Sequence, residues 1–255
     1  MFGFFRARRF RVDIASFSEC GLVRPSNQDH IFVNRRGLVF CVADGMGGGE
    51  GGAEASDIIC QEIAASLKRR MDFGDRVRAV DESIRRADTA VRVYAKKAGF
   101  RQMGSTVTVM IADSEDGRSA AVGNIGDSRI YRFRAGVLKQ LTDDHTMVDE
   151  IRRRTGRGMT VYDARTAMFS HVLTRAVGVG SDVRADWRKI DMRKGDAYLV
   201  CSDGVHGVVP QDAIRGAFAL GGKSAEIAER IRDLVLACGA PDNFSAIVVQ
   251  IGGRR

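Results

Sequence analysis

The chain has 255 residues, 44% of them hydrophobic and 28% charged, and a formal net charge of +8. That is enough for one large domain or two small ones with a buried core, in the composition of an ordinary soluble globular protein. No run approaches the roughly 18 to 20 apolar residues of a membrane span; outside RARRFR (6–11) and IRRRTGR (151–157) the arginines are too dispersed to mark a nucleic-acid surface, and the basic balance suits a phosphorylated or acidic partner.

The opening MFGFFRARRF mixes aromatics with arginines but has no apolar stretch or small-residue cleavage site, so residues 1–11 read as a basic tail rather than a secretory signal. Beyond it no linker or repeat divides the chain, and residues 12–252 read as one domain. A strand-like run, RVDIASFS (11–18), is followed by LVFCVAD (38–44), which enters the glycine-rich stretch GMGGGEGG (45–52). Ala55, Ile59, Ile63 and Leu67 recur every fourth residue and predict a helix over 53–71. Val77, Val80, Ile84, Ala87, Val91 and Tyr94 predict a second over 75–98. STVTVMIAD (105–113), SAAVGNIG (119–126) and RIYRFR (129–134) are strand-like runs; DSEDG (113–117) and RAG (134–136) supply tight turns of the kind that join antiparallel neighbours. Residues 146–170 are arginine-rich and weakly periodic, and read as a surface excursion, partly helical. AYLVCSD (197–203), a third helix near 224–238 and SAIVVQI (245–251) complete the series. Strands clustered away from a helix pair predict α+β layers rather than a parallel βαβ sheet.

The chemistry concentrates in aspartates at the ends of these runs. Asp44 and Asp203 each close an apolar run and precede a glycine; Asp242 directly precedes one; Asp29 and Asp127 sit at loop–strand junctions. Each alone reads as readily as a turn or a cap. Brought together, such carboxylates would repel one another and raise their own pKa values, a conflict that hard divalent cations resolve. The four histidines show no zinc-ligand spacing, and His206 reads as a surface-loop residue. The five scattered cysteines form no C-x-x-C pair, which fits a reducing, cytoplasmic compartment. For the glycine stretch three readings compete: a linker, a phosphate cradle, or a backbone cleared of side chains around Asp44. A strand enters and a helix leaves, and no lysine follows as a P-loop demands, so the third reading is preferred.

The segments RPSNQD, VADGMGG, GSTV, NIGDSR, LTDDH, HVLTRAVG, CSDGV and PDNFS, in this order, resemble the PPM family of metal-dependent protein phosphatases (type 2C) in its compact bacterial form. One such segment carries little; eight in register, spanning nearly the whole chain, carry much. The resemblance implies a four-layer α-β-β-α sandwich of two antiparallel sheets flanked by helices, with a metal centre in a cleft at one end. It implies hydrolysis of phosphoserine and phosphothreonine in proteins by a water bridged between two Mn²⁺ or Mg²⁺ ions, reversing a bacterial Ser/Thr kinase. Matched by motif, Asp44 would bridge the two ions, the Gly45 carbonyl would bind one, and Asp203 and Asp242 would complete the ligands. Asp29 would act through water, Arg24 would hold the substrate phosphate, and Asp127 would join Asp203 at a third metal. Residues 146–170 match the family's flap. Phosphoproteins and a cognate kinase are then the partners, and with no coiled-coil signal the chain reads as a monomer.

The chain departs from the family at three places. Gln28 stands where many eukaryotic members have glutamate, and Met46 where they carry a histidine proposed as general acid, which leaves the leaving-group acid unassigned. TVYDART (160–166) replaces a common proline–glutamate segment in the flap. A thiol phosphatase is excluded, because the C-x5-R positions hold Ser26, Gly47, Ser66, Gly207 and Phe244. A metal-dependent nuclease and a catalytically silent binding module are the alternatives. The motif order counts against the first, and the presence of Arg24, Asp44, Asp203 and Asp242 against the second.

Overall fold

The computed structural model describes residues 10–46, 51–68, 71–113, 117–155, 172–180 and 183–254. Its strands form two sheets. In one, β1 (Phe10–Glu19), β11 (Phe244–Arg254), β10 (Ala197–Cys201), β7 (Arg129–Arg134) and β8 (Val137–Gln140) lie side by side in that order. In the other the order is β2 (Asp29–Asn34), β3 (Val39–Met46), β5 (Val107–Ala112), β6 (Ser119–Ile125) and β9 (Asp186–Asp191), and the short β4 (Gly104–Ser105) pairs with the end of β3. Every pairing is antiparallel.

The central strands read as unbroken apolar runs because both of their faces are buried. Along β3, Phe40 and Val42 turn into the layer between the sheets, while Val39, Cys41 and Ala43 turn outward under helices. Along β10, Tyr198 and Val200 face inward and Leu199 and Cys201 outward; β11 repeats this with Ile247 and Val249 against Ala246 and Val248. The outward faces are roofed by amphipathic helices, α1 (Gly52–Ser66) and α2 (Phe73–Ala98) over the second sheet. Over the first sheet lie α5 (Gln211–Ala219) and α6 (Ser224–Ala237). Each fully buried Ile, Leu or Phe in these layers is worth about 1.5–3 kcal/mol against exposure. The α+β class and the four-layer arrangement are those the sequence leads one to expect.

The boundaries differ for local reasons. The first helix ends at Ser66 because Leu67 is already extended (ψ 105°). The second begins two residues early, since the Asp72 side chain caps it by accepting from Asp75 N–H (2.7 Å), and it stops at Gly99 with φ +77°. β2, β8, β9 and α5 were not expected. DHIFVN and DWRKID are edge strands whose polar residues hide the period-two pattern. A helix α3 (Met147–Thr155) opens the expected excursion; residues 156–170 of it, most of the glycine turn (47–50) and the tail up to residue 9 lie outside the described residues. Among the described residues no helix is long and apolar enough to cross a membrane.

Antiparallel pairing sets the end of one strand beside the start of the next. Asp29, first in β2, is the register partner of Asp44, near the end of β3. Cys201, last in β10, pairs with Ala246 at the start of β11 and with Arg129 at the start of β7. All five candidate aspartates therefore arrive at one end of the sandwich.

Candidate metal centre

A cleft of about 810 Å³ opens at that end, its wall including Arg24, Asp44, Gly45, Asp127, Asp203 and Asp242. Asp29 lies behind the wall, 4% exposed, with one carboxylate oxygen accepting from the Ser202 hydroxyl (2.7 Å). Its other oxygen, Oδ1, is buried with no hydrogen-bond partner.

The backbone around Asp44 is fastened on both sides. Its N–H donates to Thr106 Oγ1 (3.0 Å), and Thr106 N–H donates to the Asp44 carbonyl (2.8 Å). Gly45 N–H donates to the Gln28 carbonyl (3.1 Å), and a Cβ built on Gly45 would lie 2.1 Å from the Gly52 carbonyl oxygen. Glycine is thus required by close approach, where the end of β3 passes the first turn of α1.

Asp203 opens the short helix α4 (Asp203–His206), one residue after Ser202 leaves β10. Gly204 behind it sits where a Cβ would come within 1.9 Å of the Asn243 carbonyl, so α4 is pressed against the turn that carries Asp242. Asn243 organises this corner. Its side-chain amide donates to the carbonyls of Cys20 and Ser26 (2.8 Å each), its Oδ1 accepts from Gln28 N–H (2.9 Å), and its own N–H donates to Asp242 Oδ1 (2.8 Å). One buried side chain thereby ties the loop carrying Arg24 to the strand start carrying Asp242. The segment PDNFS contains this residue, and nothing in its sequence marks the role.

Crowding drives the electrostatics. The Asp44 carboxyl is pushed well above the usual range, first by burial and then by Asp29, Asp203 and Asp127. Burial, with Asp203 adding to it, lifts Asp29 to about 6 against the opposing hydrogen bonds from Ser202 and Ser245. Asp127 is lifted to about 7 by burial, Asp203 and Asp144. The countercharge in the cleft is Arg24, whose Nη2 lies 2.6 Å from Asp242 Oδ2. Among the described residues no three Asp, Glu, His or Cys side chains close to the spacing of a complete metal shell. The carboxylates share a wall, and Asp242 is engaged by the guanidinium that the sequence reading assigned to a phosphate.

Two histidines bracket the Gly126–Asp127 turn. His206, expected on a surface loop, instead donates from Nε2 to the Asp127 carbonyl (3.0 Å), because α4 packs beside that turn. His145 is fully buried; Nδ1 accepts from Gly126 N–H (3.1 Å), which leaves Nε2–H to donate to Asp186 (3.0 Å). Burial and the nearby Arg175, itself bound to both oxygens of Asp186, hold His145 below its ordinary pKa and neutral. No local spacing links these partners, which lie up to 79 positions apart. Three of the five cysteines, Cys41, Cys60 and Cys201, are buried, and burial pushes the Cys201 thiol up to about 12.

Residues 24–233 match the protein phosphatase 2C family. The chain is 32% identical over 238 residues to the serine/threonine protein phosphatase PstP of Mycobacterium tuberculosis, covering 93% of this chain and 44% of that protein, less than half its length. It is 28% identical to the serine/threonine phosphatase stp of Listeria innocua, covering 90% of this chain and 92% of the relative. The crystal structure of the PstP catalytic domain in complex with two manganese ions superposes with a TM-score of 0.80 at 30% identity, covering 94% of this chain and 98% of that one.

Proposed function

The chain belongs to the protein phosphatase 2C family, and from that premise we propose that it hydrolyses phosphoserine and phosphothreonine in proteins with Mn²⁺ or Mg²⁺ as cofactor. The observation that carries this reading is the cleft itself, where Asp44, Asp127, Asp203 and Asp242 share one wall with Arg24. The donor set fits hard divalent cations: all oxygen, with carboxyls whose ionisation is opposed by burial and by one another's charge until a cation compensates it. The unpartnered buried oxygen of Asp29 and the Gly45 backbone, bare of any side chain, fit as well. Asp44, the Gly45 carbonyl, Asp203 and Asp242 would hold two ions; Asp127 with Asp203 would hold a third, and Asp29 would act through water. Held there, such ions would supply charge to neutralise phosphoryl oxygens and would lower the pKa of water for attack on phosphorus.

The chain's own residues supply position and exclusion. A guanidinium has five N–H donors, and Arg24 spends one on Asp242, so the rest of its fork is suited to a phosphoryl group at the cleft mouth. Met46 lines the cleft and has no proton to give to the departing serine or threonine oxygen. No cysteine has the C-x5-R arrangement of a thiol nucleophile, and the reaction adds water to phosphorus and releases phosphate and alcohol without a phosphoenzyme. We read the chain as cytoplasmic on the strength of its five free thiols, as a monomer on that of its self-contained core, and as the opponent of a Ser/Thr kinase on that of its resemblance to bacterial phosphatases of this family.

The test is direct. Purified protein should hydrolyse an aryl phosphate and a phosphothreonine peptide with Mn²⁺ or Mg²⁺ and stop on chelation. Turnover that survives Asp203→Asn unchanged, or manganese-soaked crystals with no ion between Asp44 and Asp203, would overturn the assignment.

A further inference from the structure

Arg24 is preceded by two of the most exposed large apolar side chains among the described residues: Leu22 is 69% exposed and Val23 68%. A single exposed leucine or valine means nothing. These two are adjacent, and they stand on an arch that is held in place. At its near foot Gly21 has φ +78° and is pressed so close to the turn before β11 that a Cβ would lie 2.2 Å from the Asp242 carbonyl oxygen. Leu22 N–H donates to the Ala240 carbonyl (2.9 Å), and the Cys20 thiol donates to the Arg24 carbonyl (3.1 Å). At both feet the Asn243 amide holds a carbonyl, that of Cys20 and that of Ser26. The arch therefore sends Arg24 into the cleft and keeps Leu22 and Val23 in water. Pro25 and Pro241, beside them in chain and space, line the cleft.

We propose that Leu22 and Val23 form an apolar rim that receives hydrophobic side chains flanking the phosphorylated residue of a protein substrate. This rests on the phosphatase reading and deepens it to a substrate preference. The occupant follows from continuity with the cleft. An extended peptide advances about 3.3–3.6 Å per residue, so a phosphate seated at Arg24 carries its neighbours within two or three positions across the arch. An aryl phosphate, having no such neighbours, reaches Arg24 without touching the rim.

The experiment compares wild type with the Leu22→Ser, Val23→Ser double variant, in Mn²⁺, on an aryl phosphate and on two phosphothreonine peptides. One peptide carries leucine or valine at the positions around the phosphothreonine, the other serine. Wild type should favour the apolar peptide by about tenfold in kcat/KM, chiefly through KM, as one well-placed apolar group does in a pocket. The variant should bring that ratio close to one and leave the aryl phosphate rate unchanged, which also reports that it is folded. A wild type active on all three substrates without preference overturns the rim alone, as does a variant that keeps the preference or loses all three activities together. A wild type inactive on the aryl phosphate overturns the phosphatase reading and the rim with it.

Discussion

Asp44 feels Asp29, Asp203 and Asp127 at once, and burial together with these neighbours raises its carboxyl well above the ordinary range. Function and stability should consequently separate at this position. Asp44→Asn keeps the shape and removes one negative charge. Loss of turnover should exceed the roughly 10–100-fold typical of groups one step removed from a metal. The same change should stabilise the chelated protein, by roughly 2–4 °C in Tm for each kcal/mol of repulsion relieved in a chain this long. Parallel kinetics and thermal melts check both signs, and a melt that falls in chelator would refute the repulsion argument. Arg24 offers the complementary case. Its guanidinium is held charged by Asp242 and, less strongly, by Asp203 and Asp44, and only a planar fork can engage an acid and a phosphoryl group together. Arg24→Lys should raise KM for an aryl phosphate by about tenfold or more at saturating Mn²⁺, as expected when bidentate recognition becomes a point charge. An unchanged KM would remove Arg24 from the substrate.

The cleft is made of strand ends, and glycines let those ends touch. Gly204 leaves no room for a methyl group, since its missing Cβ would sit 1.9 Å from the Asn243 carbonyl. Gly204→Ala must therefore push α4 from the Asp242 turn, at about 1–3 kcal/mol, the usual range for overpacking. The measurable outcome is a lowered Tm together with weaker manganese binding by calorimetry, because Asp203 moves with α4. A lowered Tm with unaltered binding would show that the contact serves the fold alone. At this scale the sequence was informative where burial is two-sided: LVFCVAD, AYLVCSD and SAIVVQI are unbroken apolar runs, and the helices over them keep a regular period. It was silent for edge strands such as β9, whose DWRKID shows charge where a pattern should be. Asn243 was illegible for another reason. Its partners Cys20, Ser26 and Gln28 lie 215 or more positions away and are bound through their backbones, so no residue type signals the contact. His145 and His206 escaped assignment in the same way.

Over the whole molecule, one end of a well-packed sandwich gathers negative charge although the chain carries a net +8. Folding thus works against the ionisation of these carboxylates. Asp29 and Asp127 have folded pKa values of about 6 and about 7 against an ordinary 3.8, so between those limits the folded state binds more protons than the unfolded one. Their contribution is fully present below pH 3.8 and lost as pH rises through 6 and 7. For Asp29 alone the difference of about two pKa units corresponds to roughly 3 kcal/mol. His145 runs the other way: buried neutral, it contributes stability above its ordinary 6.5 that is lost as pH falls through its lowered value. The chelated protein should therefore lose Tm between about pH 4 and 7, where Asp29 and Asp127 hold their extra protons against the opposing slope of His145, and Asp127→Asn should flatten that loss. Manganese, which binds deprotonated ligands, should raise Tm more at pH 8 than at pH 5. Melts across this range with and without the ion decide the matter: a chelated Tm that climbs with pH would mean that the end of the sandwich is not the charged corner described.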